Sequence, residues 1–155
     1  VAAIGAVYNN DNGISSGHVR VFQLNGNSWT KVGQDIDGEA AYDYSGYSVS
    51  ISADGLVVAI GAHYNDGNGS NSGHVRVFKL DGTSWTQVGQ DIDGEAASDI
   101  SGQSVSLSDD GTVVAIGAVG NDGNGSSSGH VRVFQLDGSS WTKVGQDIDG
   151  EAASD

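Results

Sequence analysis

The sequence predicts an all-β protein made of β-propeller blades, each a four-stranded antiparallel meander, forming an incomplete ring in this chain. Three observations carry this. The chain matches itself at an offset of 56 residues with no insertion, so that Ile4, Ile60 and Ile116 align, as do His18, His74 and His130. Each repeat holds four short segments with strand patterning, bounded by turn residues. No stretch sustains a helical period, because Gly, Asn, Asp and Ser interrupt every candidate.

The repeats run 1–56, 57–112 and 113–155, and together they make one propeller segment. The first two agree at 40 of 56 positions and the last two at 37 of 43, so the unit is under one structural constraint throughout. Within a repeat, Ser48 to Ser52 and Ser104 to Ser108 alternate small polar with branched apolar residues at period 2. Val57 to Ala62 is a continuous apolar run, as expected of a strand covered on both faces. His74 to Phe78 alternates again, and Ser84 to Val88 adds a fourth strand carrying a Trp. Asp54-Gly55 and Asp110-Gly111 join the first strand to the second. Asn25-Gly26, Asp81-Gly82 and Asp137-Gly138 join the third to the fourth. Such dipeptides favour type I′ hairpins, since Gly takes a positive φ without steric cost. The other two links are longer, one rich in Gly, Asn and Ser (His63 to Gly73), the other acidic (Asp91 to Gly102). An antiparallel meander repeated without insertions suits the rotational symmetry of a propeller. The third copy stops 13 residues short, and three blades do not close a ring. The expectation is therefore a segment of a longer array, or chains that associate to complete a ring or stack.

Composition bounds the function. Six Lys and Arg against 20 Asp and Glu give a formal net charge of −14. That field disfavours nucleic acid and anionic membrane surfaces as partners and leaves cations, carbohydrate and protein ligands. No apolar run approaches the ~18 residues of a membrane helix, and Val1 opens the chain without a leader pattern. Cysteine is absent, which removes disulfides, thiolate metal sites and thiol nucleophiles together.

Four segments, in order, resemble the FG-GAP type repeats of integrin α-subunit heads and many secreted proteins. They are Ser45-Gly46-Tyr47-Ser48-Val49, Ile60-Gly61-Ala62-His63, Gly73-His74-Val75-Arg76-Val77-Phe78 and Gly82-Thr83-Ser84-Trp85-Thr86. The motif Phe is replaced by Ser45 and Ser101, and the motif Pro by Val7, His63 and Val119. The resemblance implies a secreted or cell-surface, noncatalytic scaffold or adhesion module. Its alternatives are a lectin with one carbohydrate site per blade and a structural filament of tandem repeats. The family often holds calcium in an Asp-x-Asp-x-Asp-Gly loop between the first two strands. Here that link is only Ala53-Asp54-Gly55 or Asp109-Asp110-Gly111, too short to wrap an ion wanting ~6 to 8 oxygens.

In a meander the hairpins share one face and the long loops the other, which assigns fifteen of the 20 carboxylates to the long-loop face. The run Asp35, Asp37, Glu39 recurs as Asp91, Asp93, Glu95 and as Asp147, Asp149, Glu151, with a Gly able to turn sharply. Alternating carboxylates at that spacing admit Ca²⁺; otherwise the run is a solvated loop between blades. The segment Asn65 to Ser70 lacks the regular oxygen spacing of an EF-hand and is expected to be a flexible loop. Asn68 and Asn124 head glycosylation sequons. Trp29, Trp85 and Trp141 are expected to pack the blades, with sugar stacking as the other role open to them. His18, His74 and His130 share a strand face with Arg20, Arg76 and Arg132, and each Arg is expected to pair with a carboxylate near the blade edge. No nucleophile–base constellation appears, and near-identical copies do not offer the asymmetric residue set a hydrolase needs.

Overall fold

The repeat pattern resolves into three antiparallel sheets in the computed structural model, which describes residues 1–155. Blade one contains β1 (Ala2–Ala6), β2 (His18–Asn25) and β3 (Ser28–Asp37) in that order. Blade two contains β4 (Ser48–Ile51), β5 (Val57–Ala62), β6 (His74–Asp81) and β7 (Ser84–Gln87), with β8 (Ile92–Asp93) returning to pair with the start of β6. Blade three repeats this with β9 (Ser101–Leu107), β10 (Val113–Ala118), β11 (His130–Asp137), β12 (Ser140–Lys143) and β13 (Ile148–Asp149). The meander order is as expected, and the sheets of blades two and three each straddle a boundary between sequence copies. Equivalent registers recur, with Ile4, Ile60 and Ile116 opposite Arg20, Arg76 and Arg132.

The apolar run of β5 is covered on both sides. Val58 and Ile60 face blade one, joining Val19, Val21, Ile36, Phe78 and Trp85. Ala59 faces blade three, with Val75, Val77, Ile92, Val114, Ile116, Phe134 and Trp141. The core thus consists of two slabs lying between sheets. Each is stabilised by roughly 25 cal/mol per Å² of apolar area removed from water. The matching residues of blade one, Ile4 and Trp29, are more than half exposed, and with Ala2 and Phe22 they form an apolar surface on its outer side. That surface has the composition of the faces that blades two and three present to their neighbours.

Three details depart from the sequence reading. The third-to-fourth turn pairs Asn25 with Ser28, so its central residues are Gly26 and Asn27 and only Gly26 has positive φ, at 61°. Gly82 and Gly138 repeat this at 61° and 62°. Gly at the first central position is the type II′ pattern rather than type I′. The first-to-second link is a longer turn, in which Ser52 O accepts from Gly55 N at 2.9 Å. The acidic run is not wholly a loop either. The fourth strand bulges at Gly89 (φ 75°) and resumes as β8, because Ile92 then enters the core while its neighbours stay outside. In blade one the same register shift lies inside β3.

Candidate functional site

Because the strand ends at Asp37, the two Asp residues of the run stay beside the His of their own blade while the Glu passes to the next, so the three carboxylates do not circle one point. In blade one, Asp35 turns back on its own sheet and accepts from Arg20 Nη2 at 2.8 Å, Arg20 Nε at 3.0 Å and Lys31 Nζ at 2.7 Å. Asp37 lies 4.0 Å from His18 Nδ1, beside Asp11 at 3.8 Å. Glu39 crosses to blade two. There its Oε2 is 3.9 Å from His74 Nδ1, with Asp93 at 3.9 Å and Asp91 at 4.0 Å. One run therefore serves two places, and each junction combines the Glu of one run with the Asp residues of the next.

Glu95, His130 and Asp147 repeat the group at the following junction, their ligand atoms lying within 4.8 Å of one another. Oxygens about 2.3–2.6 Å from a cation would stand this far apart on its opposite sides. Asp149 pairs with His130 across β13 and β11, while Glu151 only offers its carbonyl to Asn124.

Burial, reinforced by the Arg76 cation and opposed by Asp91, pushes the His74 imidazole down to about 4. It is neutral at neutral pH and keeps a lone pair. Burial raises the Glu39 carboxyl; Arg76 pulls against this, and Asp91, Asp43 and Asp93 add to it. Burial and then Asp91 likewise raise Asp93. Crowded, partly desolvated carboxylates repel one another, and a cation among them relieves that repulsion.

Each Arg does find a carboxylate, and which one depends on the neighbouring blade. Arg20 takes Asp35 in its own sheet. Arg76, buried against the Phe78 ring, instead donates to Asp37 O at 2.7 Å and pairs with Glu39 at 3.4 Å. Arg132 does the same with Asp93 O at 2.6 Å and Glu95 at 3.6 Å.

Asp35 yields a pH prediction. Hydrogen bonds from Arg20 and Lys31 hold its carboxyl well below the ordinary carboxylate range, so the folded state binds its proton less readily than the unfolded chain. Its contribution is complete above the ordinary carboxylate range and is lost as pH falls below it. Urea titrations from pH 6 to 2.5 should show acid destabilisation that is shallower in Asp35→Asn. Because Arg20 and Lys31 are both more than one-third exposed, the difference should shrink in 0.5 M salt. Identical pH slopes would refute it.

The other sequence candidates have visible structural tasks. Asp54 Oδ1 accepts from Ser52 Oγ at 2.6 Å and Leu56 N at 2.9 Å, closing a turn, and Asp110 does likewise with Ser108 and Thr112. These residues do not fit the calcium loop that the resemblance suggests for this link. Asn68 Nδ2 donates to Gly94 O at 2.8 Å and Glu95 O at 3.0 Å, and Asn124 binds Gly150 O and Glu151 O. Attaching a glycan to either nitrogen requires breaking that staple. The loop around Asn68 is tied down rather than flexible, since Asn65 Oδ1 accepts from Gly67 N at 2.8 Å and Asp66 Oδ1 from Asn71 N at 2.7 Å.

Trp85 and Trp141 are buried, and their indoles donate to Val32 O at 2.9 Å and Val88 O at 2.8 Å of the preceding blade. They pack blades and have no face free for a sugar. Trp29 is exposed.

The junction residues missed in the sequence are Asp11 and the cross-blade pairing of Glu39 and Glu95 with His74 and His130. The signal for the pairing was present in the fixed repeat offset of the run and the His.

A protein-family model described as FG-GAP repeat matches residues 36–78 and 91–134, more than half of the chain. Each match begins on the acidic run and ends in the third strand of the next blade, and so spans one junction. No curated protein gives a match. The repeat type is that of noncatalytic binding or adhesion scaffolds and occurs in extracellular proteins, and no helix here is long and apolar enough to cross a membrane. By the length and placement of those two matches, the chain belongs to the FG-GAP repeat family.

Proposed function

We propose that the chain is a noncatalytic, extracellular binding scaffold of the adhesion type whose acidic loop face takes up divalent cations between blades. One observation supports this above the others. Carboxylates from two successive acidic runs converge on a buried His at both junctions, Glu39 with Asp91 around His74 and Glu95 with Asp147 around His130. The carboxylate oxygens suit Ca²⁺ or Mn²⁺, and the imidazole adds a nitrogen donor that favours the latter. A cation bound there ties the strand end of one blade to the third strand of the next. It also leaves coordination positions for an acidic group of a protein or carbohydrate partner.

The test is thermal unfolding of the chain in 5 mM CaCl₂, in 1 mM MnCl₂ and in chelator. Binding only to the folded state stabilises by RT ln(1 + [L]/Kd). A chelator-reversible rise of several degrees is expected, and a Glu39→Gln/Glu95→Gln variant should lose most of the rise whatever its starting Tm. An unchanged transition with both ions would sink the cation reading.

A further inference from the structure

Among near-identical copies, the chain departs from its own repeat most visibly in one place. All five tyrosines fall within the first 64 residues. Tyr8, Tyr44, Tyr47 and Tyr64 meet where β1 and β5 end beside the segment that enters β4. Tyr8 stands edge-on to Tyr44 at 5.8 Å between ring centroids, and Tyr64 does so at 5.6 Å. His63 lies among them, its ring centroid 4.0 Å from that of Tyr47 and 4.1 Å from that of Tyr64. With Gln103 they line an open cavity of about 300 Å³.

Blade packing does not demand these residues. The junction of blades two and three has the same strand pairing, yet there Ile100 stands for Tyr44, Gln103 for Tyr47 and Val119 for His63. Three tyrosines here keep 40% or more of their surface exposed, Tyr8 reaching 75%. Such exposure is a cost that core packing does not explain.

The polar groups point to the ligand's chemistry. His63 Nδ1 and Gln103 Oε1 are enclosed in the wall and have no hydrogen-bond partner. No charged side chain lines the cavity, and burial alone lowers the His63 imidazole, with no nearby charge acting on it. A ligand suited to this wall has a flat apolar face for the rings and hydroxyls for the two unpaired atoms. It carries no charge, since no countercharge awaits it. The volume lies at the lower end of the ligand-pocket range, the scale of a single ring.

We infer that this aromatic cavity is a binding site for one pyranose unit of a neutral carbohydrate, present once in the chain and separate from the junction carboxylates. A sugar's C–H face stacks on a tyrosine, and a hydroxyl entering beside it, with a small rotation of the rings, reaches Nδ1 and Oε1. Leaving those buried atoms unpaired is unfavourable, and a hydroxyl relieves it. An organic cation would also be drawn to the ring faces, but it would give up its hydration without a carboxylate in reach. The inference goes beyond the scaffold reading and does not depend on cation uptake.

The experiment screens the whole chain, in chelator, against an array of neutral glycans, then titrates the best monosaccharide or disaccharide by NMR, with tetramethylammonium chloride in parallel. Variants His63→Val, Tyr44→Ile and Tyr47→Gln install the residues that the same fold carries in another copy, so their folding has a precedent within the chain. Sugar binding should fall at least tenfold in His63→Val and in Tyr47→Gln and vanish in the triple variant. In the wild type the sugar should shift the tyrosine and His63 ring resonances, a readout that needs no variant to fold. Absence of any retained neutral glycan overturns the inference. So do binding unaffected by the triple variant, shifts confined to other residues, or binding of the ammonium ion without the sugar. An unresponsive Tm in Ca²⁺ and Mn²⁺ would leave this result intact, so the two readings fail separately.

Discussion

Trp85→Ala should lower the unfolding free energy by about 3–5 kcal/mol in urea titrations, the range for truncating a fully buried aromatic. Trp29→Ala at the equivalent position should cost no more than about 1 kcal/mol, as surface substitutions do. The two residues share the Ser-Trp-Thr sequence, follow the same kind of turn and pair with equivalent leucines of the third strand, Leu24 and Leu80. They differ in what lies beside them. Trp85 is 4% exposed, its indole donates to Val32 O, and its backbone N and O are gripped by the Gln34 amide at 2.9 and 2.8 Å. Trp29 is 56% exposed. Gly33 belongs to the same contact, since a Cβ there would come within 2.6 Å of the Trp85 ring. Equal losses in the two variants would mean that the Trp acts within its own sheet, and the account of the core as slabs between blades would fail.

The second large effect concerns the approach of blades near the inner strands. Gly61 sits in β5 where a Cβ would overlap the carbonyl oxygen of Gly102 in blade three and the hydroxyl of Ser48. Backbone cannot swing aside as a side chain can, so Gly61→Ala must separate the sheets. Overpacking of this kind costs about 3 kcal/mol. Gly117 occupies the same position in blade three, where the only close neighbour of an added Cβ is the Ser104 side chain, and rotation of that hydroxyl relieves the overlap. Gly117→Ala should therefore cost about 1 kcal/mol. Chemical denaturation of the pair checks this, and comparable midpoints would show that the junction between blades two and three is softer than its geometry indicates.

Much of the architecture was legible in the residues. Period-2 alternation marked β4 and β9 as strands, although in β4 the serine face is also half-buried against blade three, and the unbroken Val57–Ala62 run marked a strand buried on both faces. Turn chemistry was legible only in part. The Gly of each Asn-Gly or Asp-Gly pair announces a reversal, but whether it becomes the first or second central residue depends on strand register, here Asn25 opposite Ser28. The acidic run misled because alternating carboxylates with a Gly look like a solvated loop. Ile36 and Ile92 between them carried the strand signal, and the slab between blades uses it.

The candidate sites were less legible, for a related reason. The notion of one cation held by Asp35, Asp37 and Glu39 treated neighbours in sequence as neighbours in space. In the fold, Asp35 and Asp37 share one face of the strand beside His18, whereas Glu39 lies past the strand end and belongs with His74 and Asp91. The tyrosine cavity left a different trace. It coincides with positions where the copies differ, and in a chain so repetitive such differences mark places released from the shared packing constraint.

The sequence alone determined the four main strands of a blade, their order, the repetition of the blade and the sign of the charge on the loop face. These follow from patterns only a few residues long, which each copy carries complete. Tertiary structure alone decided what each repeated residue does. Arg20 binds Asp35 while Arg76 reaches back 39 residues to Asp37 O, and Trp29 lies bare while Trp85 is covered. A repeated residue meets the same neighbours within its own sheet, but its burial and its long-range partner depend on whether a blade stands against it, and no local pattern encodes that.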